Sequence, residues 1–168
     1  MYSIGDVAKM MNISTSALRF YDRQGLLPFV ERNQAGRRTF KPNDLNFIEV
    51  IDCLKKSGVP VKNIASFIQL CMAGDGTLKE RYDYLDHQET VLTDKIQAMQ
   101  AQLDFLRYKK WYYKTAVEAG TEAVHFLPQT HAVDPKTKAQ YQRARQNATD
   151  LHQLIDLPDQ PTSQDQPD

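Results

Sequence analysis

An apolar seam between residues 78 and 117 places the strongest constraint on how this chain can fold. Its positions step alternately by four and three residues, and only Glu89 and Lys110 interrupt the apolar series. Spacing of 3.5 residues sustained in this way is typical of a coiled coil. A helix over residues 77–119 would be about 60 Å long, too long to pack against one small domain. We therefore predict a dimerisation helix with contacts at Leu78, Tyr82, Leu85, Leu92, Ile96, Met99, Leu103, Leu106, Tyr113 and Val117.

Two short helices joined by a tight turn are predicted near the N-terminus. Ser3 and Asp6 form a capping-box pattern at the start of the first helix, which spans about residues 3–10. Ser14 is a favourable N-cap for the second helix, and Gly25 ends it. Two short helices at this separation are typical of a helix-turn-helix.

A β-hairpin and two further helices follow. The strand-forming pieces Phe29–Glu31 and Thr39–Lys41 flank a short turn at Asn33–Gly36, which predicts the wing of a winged helix. Pro42 opens a third helix and Pro60 a fourth, because proline suits the first helical position.

The predicted fold is therefore mainly α. Residues 1–74 form a winged helix-turn-helix domain with a short β-hairpin wing, and residues 77–119 form the coiled-coil helix. Apolar side chains at helical spacing indicate packing and no cofactor site. The expected core of the first domain is Leu18, Phe20, Leu26, Phe40, Leu45, Ile48, Ile51, Leu54, Ile64, Phe67 and Ile68.

Charge is distributed unevenly along the chain. Residues 1–70 carry 10 basic and 6 acidic side chains, whereas residues 71–168 carry 11 and 15. Phosphate binding needs local positive charge, so the first segment is expected to bind nucleic acid.

The motifs that the sequence lacks disfavour several classes of function. It contains no nucleophile elbow, phosphate loop, HExxH or paired-cysteine motif, and its four histidines show no ligand spacing. We therefore expect no enzyme, no cofactor and no metal site. No apolar run approaches the roughly 20 residues that span a bilayer, and the N-terminus does not resemble a signal peptide. A cytoplasmic protein without a membrane partner is expected.

The side chains expected to contact DNA lie on the second helix and on the wing. Arg19 and Tyr21 are placed where a major-groove helix presents arginine to guanine and tyrosine to phosphate. The alternative is that Tyr21 packs under the wing and Arg19 is only solvated. Lys62, near the start of the fourth helix, is either a phosphate contact or an exposed lysine. The other predicted contacts are Thr15, Ser16, Arg37, Arg38, Thr39 and Lys41.

Three motifs in this order resemble the N-terminal signature of the mercury-resistance regulator (MerR) family. They are SIGDVA at residues 3–8, LRFYDRQGLLP at residues 18–28 and GRRTF at residues 36–40. The resemblance implies a homodimer, joined by an antiparallel pair of long helices, on a palindromic promoter. It also implies that an effector makes the dimer bend and untwist the DNA so that RNA polymerase can use it, which is a form of indirect readout.

The same resemblance bears on which class of effector the regulator responds to. Metal-responsive members place a cysteine near the start of the long helix and a pair after it, but Lys79 occupies the first position here and no cysteine follows Cys71. Residues 52–58, around Cys53, resemble the third helix of a branch that responds to aldehydes and other electrophiles. Lys55 and Lys56 favour a thiolate, whereas the negative end of a helix opposes it. Cys53 is therefore either a sensor or a packing residue.

Residues 120–168 are predicted to be a C-terminal extension. Residues 135–156 have the pattern of an amphipathic helix, and the proline-rich, acidic residues after it are expected to be disordered. So short and polar a segment is not expected to build an enzyme pocket. A dimeric transcription regulator is the leading hypothesis. The alternative is a protein-interaction module that acts through the long helix.

Overall fold

The computed structural model describes residues 1–158. They form two compact units, Met1–Asp94 and the residues from Lys95 onward. Apart from Leu157 and Pro158, the tail that we expected to be disordered lies outside the described residues. No helix among residues 1–158 combines the length and the apolar character that crossing a membrane requires.

The first unit is built mainly from helices, as predicted. Four of them lie within it, and a fifth, much longer helix begins in it and continues into the second unit. These helices are α1 (Ile4–Met10), α2 (Thr15–Arg23), α3 (Asp44–Lys56), α4 (Val61–Met72) and α5 (Leu78–Ala119).

The capping residues predicted for the first two helices are confirmed. The Ser3 hydroxyl accepts from the Asp6 amide at 3.2 Å, and the Ser3 amide donates to the Asp6 carboxylate at 2.8 Å. The Ser14 hydroxyl accepts from the Ala17 amide at 3.0 Å. Each cap binds amide groups that have no partner inside the helix, and so fixes where α1 and α2 begin.

The wing is part of a three-stranded antiparallel sheet with the order β1-β3-β2. The strands are β1 (Tyr2–Ser3), β2 (Glu31–Arg32) and β3 (Arg38–Phe40). The predicted hairpin is confirmed, although its first strand is one residue shorter than expected and its second begins one residue earlier. Strand β1 was not predicted, because its two residues carry no alternating pattern and lie against the cap of α1.

The third helix begins two residues later than predicted. Pro42 was expected at its first position, but α3 starts at Asp44. The Asp44 carboxylate accepts from the Lys41 amide at 2.8 Å, and this side chain is buried. The contact holds residues 41–44 in a turn, which delays the helix. Pro60 directly precedes α4, as expected.

The core of the first unit contains most of the predicted residues. All of them are buried except Phe20 and Leu45, which are partly buried and pack against the others. Val7, Ile13, Tyr21, Leu27 and Val59 complete the buried set.

The seam of α5 is largely exposed in the single chain. Tyr82 and Met99 retain 66% and 69% of their accessible surface, and Leu92 is the most protected seam residue. A row of large exposed apolar side chains is typical of a surface that binds a partner.

The second unit packs the C-terminal segment against the last turns of α5. The segment contains a 3-10 helix at Glu122–His125 followed by α6 (Lys136–Asn147) and α7 (Leu151–Ile155). An aromatic cluster on α5 forms its core with Tyr141 of α6 and Ile155 of α7. The α5 members of this cluster are Tyr108, Trp111 and Tyr112.

The single helix predicted over residues 135–156 is wrong. The chain leaves the helical conformation at Ala148, where ψ is 130°, and re-enters it after Asp150. The Asp150 carboxylate accepts from the His152 amide at 2.8 Å and so starts a separate helix. The apolar residues keep helical spacing across Asp150, although the Asp150 cap divides the segment into two helices.

Trp111 is the only tryptophan of the chain, so its fluorescence reports on this packing. The Tyr141 ring lies 5.6 Å from the Trp111 ring, and Tyr141 is buried. We expect Tyr141→Ala to shift Trp111 emission to longer wavelength and to lower the free energy of unfolding by about 3 kcal/mol, because a buried aromatic ring is removed. Gln140→Ala, at an exposed position of α6, is the control. Unchanged emission in Tyr141→Ala would contradict the packing described.

Candidate nucleic-acid interface

Helix α2 has one buried face and one exposed, basic face. Leu18 and Tyr21 are buried in the core of the first unit. Ser16, Arg19 and Arg23 are exposed, and their spacing of three and four residues places them on one side of the helix. Arg23 was not among the predicted contacts, although its position four residues after Arg19 carries the signal. Thr15 is only partly exposed.

Tyr21 does not have the exposed hydroxyl that a phosphate contact requires. It is 2% exposed, and its hydroxyl donates to Asp52 of α3 at 3.0 Å. Burial, together with this hydrogen bond, raises the pKa of Tyr21 to about 12. The expected phosphate contact is therefore corrected: the position of Tyr21 makes it a core residue that joins α2 to α3.

The contact between α2 and α3 includes further charges. Asp52 forms an ion pair with Lys56, one turn further along α3. The Lys55 ammonium lies 4.7 Å from the centre of the Phe20 ring and 5.1 Å from that of Tyr21. Such cation–π contacts are favourable because the ring face carries negative potential. These contacts fix the orientation of α2 on α3.

The wing turn is held by one side chain. The Asn33 side-chain oxygen accepts from the Ala35 and Arg37 amides, both at 3.0 Å. Gly36 has a φ of +72°, a conformation that suits glycine. The turn leaves the Arg37 side chain exposed next to β3.

Asp22 of α2 binds both strands of the wing. One of its carboxylate oxygens accepts from Arg38 Nε at 2.8 Å and from Arg32 Nη2 at 3.0 Å. The side chain of Arg38 is only 20% exposed, and charge-assisted bonds of this kind are among the stronger ones. Arg38 was predicted to contact DNA, but its placement makes it a positioning residue for the wing.

The other predicted contacts on and near the wing differ in their surroundings. Lys41 forms an exposed ion pair with Glu31, and the Thr39 hydroxyl donates weakly to the Glu31 carbonyl at 3.4 Å. Exposed pairs of this kind contribute little stability, so Lys41 can exchange Glu31 for a phosphate. Lys62 is exposed on the first turn of α4. Within residues 1–158, no hydrogen bond or ion pair joins its side chain to α2 or the wing.

On α2 and the wing, the arrangement leaves three guanidinium side chains free for a ligand. Within the described part of the chain, Arg19, Arg23 and Arg37 have no carboxylate partner, whereas Arg32 and Arg38 share Asp22. Free guanidinium groups can bind phosphates, or a guanine base edge, with two hydrogen bonds. No group of three or more metal-ligating side chains lies close together in residues 1–158.

The two cysteines lie in different environments. Cys53 is exposed on α3, in a shallow groove that Met10, Leu45 and Leu92 also line. Cys71, in α4, is partly buried. Burial raises the pKa of the Cys71 thiol, and nearby Arg81 opposes that shift.

Comparisons with known proteins agree on one family. Residues 2–70 match the family model described as MerR HTH family regulatory protein. An uncharacterized HTH-type transcriptional regulator of Haemophilus influenzae is 35% identical over 128 residues, which cover 76% of this chain and 95% of the relative. The HTH-type transcriptional regulator AdhR of Bacillus subtilis is 32% identical over 49% of this chain and 59% of its own.

Solved structures give the same result. The crystal structure of HiNmlR, a MerR family regulator lacking the sensor domain, bound to promoter DNA, superposes with a TM-score of 0.64 at 34% identity, over 73% of this chain and 98% of that one. A MerR family regulator from Bacillus thuringiensis gives a TM-score of 0.60 at 40% identity, over 64% of this chain and 95% of its own. This chain belongs to the MerR family of helix-turn-helix transcriptional regulators.

Proposed function

We propose that this regulator binds a palindromic promoter as a homodimer and distorts it in response to a signal. The observation that carries the proposal is the group of free guanidinium side chains on α2 and the wing. HiNmlR, which resembles this chain in sequence and fold, was solved with promoter DNA. Its DNA-bound state supports the same use of this surface here.

The basic side chains divide into two roles. Arg19 and Arg23 extend from the exposed face of α2, which enters the major groove, and Arg37 reaches a flanking phosphate from the wing. Thr15, Ser16, Thr39, Lys41 and Lys62 make weaker contacts with the backbone. Arg38 holds the wing to α2 through Asp22, so it sets the distance between these contacts.

The seam of α5 supplies the second copy that a palindrome requires. Two half-sites are read together only when the two reading domains are linked, and linkage raises affinity through effective concentration. Contacts at both flanks then offset the free-energy cost of distorting the base pairs between them. RNA polymerase uses the promoter in this distorted form.

A protein-interaction module acting through α5 is the second candidate. The exposed seam favours it, because such a surface serves any helical partner. The arginines of the first unit distinguish the two candidate functions. An interaction module has no need of a wing held by Asp22 or of arginines left unpaired beside it.

The salt dependence of DNA binding distinguishes arginines that contact phosphate from arginines that are bound to Asp22. The operator is first identified by selection from random duplexes, and binding of full-length variants is then measured across a salt series. Arg37→Ala removes one phosphate contact per subunit, so the slope of log affinity against log salt is expected to fall by about 0.9 for each phosphate that is no longer neutralised. Asp22→Asn removes a negative charge but frees the wing, and is expected to weaken binding with little change in slope.

Glu31→Gln is the control for Asp22→Asn, because it removes a wing carboxylate outside that contact. Tighter binding by Asp22→Asn would show that Asp22 limits DNA affinity, by repelling DNA or by holding Arg32 and Arg38, and would contradict a positioning role for the contact. Retention of wild-type operator affinity in an Arg19→Ala/Arg37→Ala variant that remains folded and dimeric would reject this DNA-binding surface. Failure to select any operator with the wild-type chain would leave the interaction module.

We further propose that Cys53 receives an electrophilic signal. Its thiol is exposed, and the adjacent Asp52 holds the Tyr21 hydroxyl of α2. In the reaction with an aldehyde, the Cys53 sulfur forms a bond to the carbonyl carbon and the thiol proton passes to the carbonyl oxygen. The adduct fills the groove beside α1 and alters the packing that orients α2, which shifts the dimer toward the DNA-distorting state.

The two cysteines provide a matched test of this signal. We expect Cys53→Ser to abolish the promoter response to an aldehyde while operator affinity stays unchanged, and Cys71→Ser to retain the response. Promoter output in reporter strains gives the response, and intact masses of the wild-type, Cys53→Ser and Cys71→Ser proteins show which cysteine the adduct requires. An undiminished response in Cys53→Ser would remove Cys53 from the mechanism.

A further inference from the structure

A groove at the C-terminal end of α5 is lined by apolar and basic side chains. Leu106, Tyr113 and Val117 of the seam form one wall, and Ile155 and Leu157 of the C-terminal segment form the other. We call this the α5–α7 groove. Lys109, Lys110 and Lys114 also line it.

The second wall is fixed to α5 by polar contacts. Lys110 forms an ion pair with Asp156, and the Lys114 ammonium donates to the main-chain carbonyl of Gln153, in the middle of α7. Ile155 is buried between them. The groove is thus formed by packing within the second unit.

The seam matches itself in one antiparallel register. If Leu78 faces the partner's Val117, then Tyr82 faces Tyr113, Leu92 faces Leu103 and Ile96 faces Met99, the residue numbers of each pair adding up to 195. The interrupting residues also fit, because Leu85 faces Lys110 and Glu89 faces Leu106. A shift of one heptad in either direction leaves seam residues at one end without a facing position.

Charge along α5 favours the same orientation. Residues 78–94 carry five acidic and two basic side chains, whereas residues 99–119 carry two acidic and four basic ones. An antiparallel pair therefore places the acidic half of each helix beside the basic half of the other. In this register Asp86 flanks the partner's Arg107, and Glu89 lies one layer from the partner's Lys110.

We propose that the first turns of a second copy's α5, residues 78–86, bind in the α5–α7 groove, so that the C-terminal segment forms part of the dimer interface. This inference rests on the proposed homodimer. The partner's Tyr82 and Leu85 lie between the two apolar walls of the groove, and Leu157 covers them from the side opposite the seam. Lys110, a cation within an apolar seam, keeps its ion pair with Asp156 and faces the partner's Leu85, one layer from the partner's Glu89.

Site-specific disulfide formation tests the position of the groove. In a Cys53→Ser/Cys71→Ser background, a Leu157→Cys chain is co-expressed with a Tyr82→Cys chain carrying a different tag. Mild oxidation is expected to link the two chains, whereas neither variant alone forms a linked dimer, because identical positions lie at opposite ends of an antiparallel pair. Leu92→Cys replaces Tyr82→Cys in the control, since it lies about 15 Å further along the helix.

Dimer dissociation tests the contribution of the segment in the full-length chain. Leu157→Asp is expected to raise the dimer dissociation constant about tenfold in sedimentation equilibrium, because an apolar contact is replaced by a charge. Val124→Asp, an equally exposed aliphatic position of the same segment outside the groove, is expected to change it less than about twofold. The two residues retain 53% and 51% of their accessible surface.

The outcomes separate this inference from the proposed function. Linkage of Leu157→Cys to Tyr82→Cys but not to Leu92→Cys supports the groove. A dimer that shows no such linkage and tolerates Leu157→Asp as well as Val124→Asp overturns the inference and leaves the homodimer intact. A chain that sediments as a monomer with full operator affinity overturns the homodimer itself.

Discussion

The apolar seam of α5 cannot be removed from water within one chain. Large side chains such as Tyr82 and Met99 remain mostly exposed, although the opposite side of the same helix packs an aromatic cluster from Tyr108 to Tyr112. Burial of that cluster fixes which side of α5 the C-terminal segment covers. The seam is then left exposed, and it is the surface on which the proposed homodimer, with its two-fold pair of reading domains, depends.

Carboxylates decide which cations of the first unit are available to a ligand. Asp22 forms ion pairs with Arg32 and Arg38. Asp52 forms an ion pair with Lys56 and accepts a hydrogen bond from the Tyr21 hydroxyl. Both carboxylates are partly shielded from water, where such contacts are stronger than at an open surface. They stabilise the geometry of α2 and the wing, so net charge alone overestimates the number of groups that can bind phosphate.

Much of this architecture could be predicted from the sequence because its signals are local or periodic. The caps of α1 and α2 depend on residues three apart, and the extent of α5 follows from its seam. Tyr21 could not be assigned, because its partner Asp52 lies 31 residues away and only the packing of α2 on α3 joins them. The break before α7 could not be predicted because Asp150 interrupts a pattern that otherwise remains amphipathic.

The C-terminal segment covers α5 on more than one side. Tyr141 packs against the aromatic cluster, while Asp156 and Leu157 lie at the edge of the seam, beside Lys110 and Tyr113. A ligand or substitution that loosens the cluster therefore also moves the groove wall. If that wall holds the partner's helix, loosening the cluster weakens dimerisation, and with it the binding of two half-sites. The segment would then couple the state of the second unit to promoter binding through the interface alone.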